Sequence, residues 1–136
     1  MELETTQAQG QVPVTIMKLV GELDASNYLE VIARGKELFA AGTRDLLLDL
    51  SDLSFMASSG LVALHSLVLV MSGEEPPDPE HGWGAFHGIS RDRERGFAEH
   101  FRLYNPQPSV ARTLEITGFK TFVQVHTDLE AALASF

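Results

Sequence analysis

The chain has 136 residues, 10 of them basic and 19 acidic, for a formal net charge of −9. That length suits one domain with a real core, and a surface this acidic repels phosphate backbones, which disfavours nucleic-acid binding. No cysteine is present, so disulfides, zinc–thiolate sites, iron–sulfur clusters and thiol catalysis are excluded.

Glu2 to Gln7 is polar and acidic, unlike a secretory signal, and points to a cytoplasmic protein. It can form a short strand, turning at Gln9-Gly10-Gln11 into Val14–Val20, a β-branched run that ends at Gly21. Asp24-Ala25-Ser26-Asn27 offers helix-starting side chains, and Leu29, Ile32, Ala33, Leu38 and Phe39 follow at roughly helical spacing up to Gly42. Leu46–Leu50 is almost continuously apolar, as a strand covered on both faces would be. Ser51 to Ala57 reads as a loop into Ser58-Ser59-Gly60 and an oily helix through Met71. Leu53–Gly73 carries no charge, yet its serines and the helix start in its middle leave too little for a membrane span.

The 29 residues from Ser72 to His100 differ from the rest, with Pro76, Pro77, Pro79 and five glycines. A segment of that length reads as an insertion, a flexible loop first and a charged helical turn or two from Ile89 to Phe101, adding little to the core. Regular patterning resumes with a strand at Arg102–Tyr104, a helix from Pro108 to Thr117 closed by Gly118, and an alternating strand over Thr121–Val125. A last helix begins at Thr127 with a Thr-Asp-Leu-Glu capping box and runs to Ala134. Such alternation implies an α/β layer fold: a single mixed sheet of four to five strands with about four helices.

Ser58 is the residue best placed for chemistry. A serine there can cap the helix, and it also stands at the positive end of the helix dipole, within reach of a kinase. The two roles are compatible. A hydrolase nucleophile is disfavoured, because no Gly-x-Ser-x-Gly elbow surrounds Ser58 or Ser59. His81, His87 and His100 match no metal-ligand spacing, and His65 and His126 read as core or surface histidines. Gly82 to Gly88 lacks the spacing of a dinucleotide fingerprint, and its Trp83 and Phe86 read as packing back onto the domain or as a docking handle.

Val14-Thr15-Ile16 through Gly21-Glu22-Leu23-Asp24, Asp49-Leu50-Ser51 and Ser58-Ser59-Gly60-Leu61 together resemble the signature of the STAS domain. Val110–Leu114, Thr117-Gly118-Phe119 and Thr127–Leu133 are similar to that family's later helices, and only Ser72–His100 falls outside the likeness. The resemblance implies a non-enzymatic bacterial regulator of the anti-sigma factor antagonist type, without a cofactor. In such proteins the unphosphorylated domain binds a serine-kinase anti-sigma factor, the kinase ends binding by phosphorylating the first serine of Asp-Ser-Ser-Gly, and a metal-dependent phosphatase reverses it. By that likeness Ser58 is the phosphorylation site, and Asp24, Ser26, Asn27, Met56, Ala57 and Ser59 form the partner-binding patch. Ala57 stands where the family has aspartate, which removes a negative charge beside the serine. The departure and the insertion leave a second reading: a non-phosphorylated STAS subunit of a lipid-transport or signalling assembly. Self-association stays open, and membrane insertion is not expected.

Overall fold

A computed structural model of the chain describes residues 1–74 and 98–136. The alternating run around Ile16 becomes strand β2 (Pro13–Leu23), with β1 (Glu2–Gln9) paired antiparallel along its edge. The side chains of Thr15, Met17 and Leu19 face inward, so one face of β2 is sealed. Helix α1 (Tyr28–Ala40) follows, then β3 (Leu46–Asp49), β4 (Leu53–Met56) and α2 (Ser58–Met71). Described chain resumes before β5 (Phe101–Tyr104), and α3 (Pro108–Ile116), a short 3-10 turn (Phe119–Thr121), β6 (Gln124–His126) and α4 (Leu129–Ala134) complete it.

The sheet runs β1-β2-β3-β5-β6, with β2, β3, β5 and β6 parallel and β1 antiparallel. Its main core joins Met17, Leu19, Leu46, Leu48, Phe101 and Leu103 to the apolar sides of α1, α2 and α3. A smaller cluster, Val14, Leu47 and Ala132, lies under α4 on the other face. Arg102 fastens the chain end there, donating to the Ala98 and Ser135 carbonyls at 2.7 and 3.1 Å. As its all-round apolar sequence requires, α2 is buried over most of its circumference.

The α/β class, the mixed sheet and the four α-helices among the described residues agree with the sequence reading, and three details do not. Ser51–Ala57 is not all loop: β4 pairs in parallel with Gly21–Leu23, which makes six strands in the described residues rather than four or five. The last strand lies at Gln124–His126, because Phe119 and Phe122 turn inward together, ring centroids 4.7 Å apart, and spend the preceding residues on the 3-10 turn. The final helix is capped by Asp128, whose carboxylate accepts from the Ala131 amide at 3.1 Å, so Thr127 stays outside it. Most of the expected insertion, including His81, Trp83, Phe86 and His87, lies outside the described residues.

Candidate partner-binding site

The site is built where β2 and β4 end. β3 runs beside Thr15–Lys18 of β2, and β4 takes over beside Gly21–Leu23. The register shifts at Gly21, whose φ of +113° suits a residue without Cβ. Ser54 Oγ donates to the Gly21 carbonyl at 3.1 Å, and Ser109 Oγ donates to the Ser54 carbonyl at 3.1 Å, so the start of α3 braces β4. The Ala57 amide donates to the Leu23 carbonyl at 2.9 Å, which ties the two chain exits together. Two helices therefore start beside one another, α1 after Leu23 and α2 after Met56. In parallel sheets this carboxyl end is where ligands and partners are usually met.

The first exit is closed by its own side chains. Asn27 Oδ1 accepts from the Asp24 amide at 3.0 Å, and Asn27 Nδ2 donates to the Glu22 carbonyl at 2.8 Å. One oxygen of Asp24 accepts from the Ser26 amide at 2.9 Å and the Ser26 hydroxyl at 2.5 Å. The hydroxyl bond first, then the amide bond, holds the Asp24 carboxyl below the usual carboxylate range. Asp24 and Asn27 are half-buried and Ser26 is exposed, so this loop offers a rigid rim.

The second exit is bare. Ala57 takes the extended N-cap conformation of α2 and has no side chain with which to cap it. Ser58, one residue inside the helix, is exposed. Capping by Ser58, expected from the sequence, is thus replaced by an uncapped start. Gly60 permits the close fit beneath it: a Cβ there would lie 2.4 Å from Met56 Cγ and 3.1 Å from Leu23 Cδ2.

Two expected contact residues turn inward. Met56 is only 5% exposed and packs under α2, so it cannot present itself to a partner. Ser59 directs its hydroxyl into the interior, where it has no hydrogen-bond partner among the described residues. β4 does not alternate but runs in-out-out-in, so Leu53 and Met56 are both drawn into the core while Phe55 is left 49% exposed. At the head of α1, Leu29 is 45% exposed. Reading Ser51–Ala57 as loop gives no sign of the exposure of Phe55, and helical spacing counts Leu29 with the buried stripe of α1.

Among the described residues no three His, Asp or Glu side chains gather to hold a metal ion, and no helix is long and apolar enough to cross a membrane. His100 instead pairs with Asp45 at 2.9 Å, and His65 is buried within α2. Half-buried His126 is held below the usual histidine range by burial and then by the Arg102 charge.

The STAS domain family model matches residues 5–71, which include both helix starts. No curated protein matches the chain in sequence. Solved structures of similar fold include a Thermotoga maritima protein assigned as an anti-sigma factor antagonist (19% identity, TM-score 0.65, covering 96% of this chain and 90% of that one). An anti-sigma factor antagonist from Mycobacterium paratuberculosis is similar at 17% identity and TM-score 0.64, covering 98% and 93%. The antagonist SpoIIAA in its unphosphorylated form is similar at 18% identity and TM-score 0.59, covering 96% and 93%. SpoIIAA, a Bacillus cell fate determinant, has also been solved phosphorylated. At these identities the structural likeness carries the fold, and over residues 5–71 the chain is similar to the STAS domain family.

Proposed function

We propose that this chain is a protein-binding regulator of the anti-sigma factor antagonist type, switched at Ser58. The observation that carries the reading is the exposed hydroxyl at the uncapped start of α2, beside the rigid Asp24–Asn27 rim. The contact surface comprises Ser58, Ala57, Ser26 and the solvent-facing parts of Asp24 and Asn27, and it binds a serine-kinase anti-sigma factor. Phosphate on Ser58 adds about −1.5 to −2 charges to a surface that must be desolvated on docking. Like charge and lost hydration then oppose binding, by several kcal/mol where the contact is tight. A metal-dependent serine phosphatase restores the bare hydroxyl. No residue of the chain is assigned a catalytic role, and the setting is the bacterial cytoplasm. The domain is taken as residues 1–136, with an insertion at about 72–100.

The test is calorimetric titration of the serine-kinase anti-sigma factor encoded in the same genome. Ser58→Ala should keep the native affinity, and Ser58→Asp should lose about tenfold or more. Equal affinities for both variants would overturn the switch. Ala57 favours a second reading, a STAS subunit that is never phosphorylated. Intact-mass analysis after incubation with that kinase and ATP distinguishes the two, since only the first predicts a phosphate that Ser58→Ala abolishes.

A further inference from the structure

Among the described residues the outer edge of β1 is open. Glu2–Gln9 pairs with β2 in unbroken register, and among the described residues no strand pairs with its other side. Six of its eight side chains are exposed, with Leu3 and Ala8 half-buried. An edge of this length leaves a row of N–H and C=O groups unpaired, and natural sheets usually blunt such edges with charged side chains (lysine above all), proline, a bulge or a very short strand. β1, Glu-Leu-Glu-Thr-Thr-Gln-Ala-Gln, has no proline, lysine or bulge, and its charges, Glu2 and Glu4, are confined to its first half.

We infer that this edge is a self-pairing surface, on which β1 of a second copy of the chain docks antiparallel about a two-fold axis through Thr6. Geometry restricts the registers. In an antiparallel ladder the outward backbone groups belong to every second residue, so a copy pairs even positions with even and odd with odd. The longest overlaps are then centred on Thr5 or on Thr6. Charge chooses between them. Sliding the copies to centre on Glu4 sets two carboxylates face to face. Centring on Thr5 leaves Glu4 diagonal to its own copy, about 7–8 Å away and inside the screening length. Centring on Thr6 sets Glu4 opposite Ala8, Leu3 opposite Gln9, Thr5 opposite Gln7 and Thr6 opposite itself. The two Glu4 side chains then lie four residues apart along the ladder, about 13 Å, where salt screens them. Thr–Thr pairs are favourable cross-strand neighbours. Because the acidic residues all lie in the first half of β1, antiparallel pairing sets that half against the neutral Gln-Ala-Gln half. A parallel partner would stack the acids instead. The inference does not depend on the Ser58 reading.

The absence of cysteine from the chain makes the test clean. Thr6→Cys, Thr5→Cys and Gln7→Cys are made singly, at exposed positions, and oxidised with copper phenanthroline in dilute solution. Thr6→Cys should give a covalent dimer about tenfold faster than either neighbour, because only that position meets its own copy. The native chain should show a concentration-dependent monomer–dimer equilibrium by sedimentation, and Thr6→Lys should weaken it about tenfold by facing two cations across the axis. A native chain that stays monomeric up to its solubility limit would overturn the inference, as an edge reserved for a foreign strand requires. Faster cross-linking at position 5 or 7 would overturn it too.

Discussion

The starts of α1 and α2 lie at the carboxyl ends of neighbouring strands, and they spend their polar groups differently. Before α1, Asn27 bridges the Asp24 amide and the Glu22 carbonyl, while the Asp24 carbonyl accepts from the Asn27 and Tyr28 amides at 3.2 and 3.0 Å. Before α2 there is only the extended backbone of Ala57, anchored to Leu23 and offering no side-chain acceptor. The first loop is therefore built by local bonds and would keep its shape whatever docks on it. The second holds its shape through packing below, chiefly at Gly60, and leaves its outer surface uncommitted. A rigid rim beside an uncommitted helix start is a combination that one added anion can alter without unfolding the domain.

Overfilling the close packing beneath the bare start should have the largest effect. Gly60→Ala drives a methyl into Met56 Cγ and Leu23, both buried, and helix propensity returns less than it costs. A loss of about 2 kcal/mol in urea denaturation is expected. An unchanged midpoint would mean that α2 is free to lift from the ends of β2 and β4. Breaking the closed loop should cost less. Asn27→Ala removes two side-chain bonds, one at a part-buried site and one exposed, for about 1 to 1.5 kcal/mol. Ser58→Ala in the same assay should change stability by under about 0.5 kcal/mol. Equal losses for the two variants would erase the contrast between the starts.

Much of this contrast was legible in the residues. Leu46–Leu50 and the run after Gly60 read correctly because burial on both faces leaves few polar interruptions, and α1 because its apolar stripe keeps a helical period. β4 was not legible: four residues, with Ser54 and Phe55 outside and Leu53 and Met56 inside, follow no local period long enough to register. Its pairing with Gly21–Leu23 is set by tertiary contacts, notably the bulge at Gly21 and the Ser109 brace. Missing the strand also inverted the surface, placing Met56 outside and overlooking Phe55. The loop of Asp24, Ser26 and Asn27 was found as helix-starting chemistry, although its bonds close the preceding turn rather than cap the helix. The same local logic fails at Ser58, since which residue becomes the N-cap depends on where β4 ends.

Ala57→Asp is the one change expected to stabilise, and it sharpens the comparison most, because it gives the second start a side-chain acceptor of the kind the first already has. Position 57 is the N-cap of α2 in extended conformation, where an aspartate side chain can accept from the first-turn amides and face the positive helix end. A gain of about 1 kcal/mol is expected at neutral pH. The bonded carboxyl should titrate below the ordinary aspartate value near 3.9, so the gain is complete above that value and disappears as pH falls through the lower, folded one. Urea midpoints for native and variant should therefore differ at pH 7 and converge in acid. A difference that persists in acid would trace the gain to something other than the carboxylate. The variant also separates the two functional readings: if Ala57 is what keeps a kinase away, Ala57→Asp should speed phosphate incorporation at Ser58, and if Ser58 already serves as the acceptor, the native rate should be substantial.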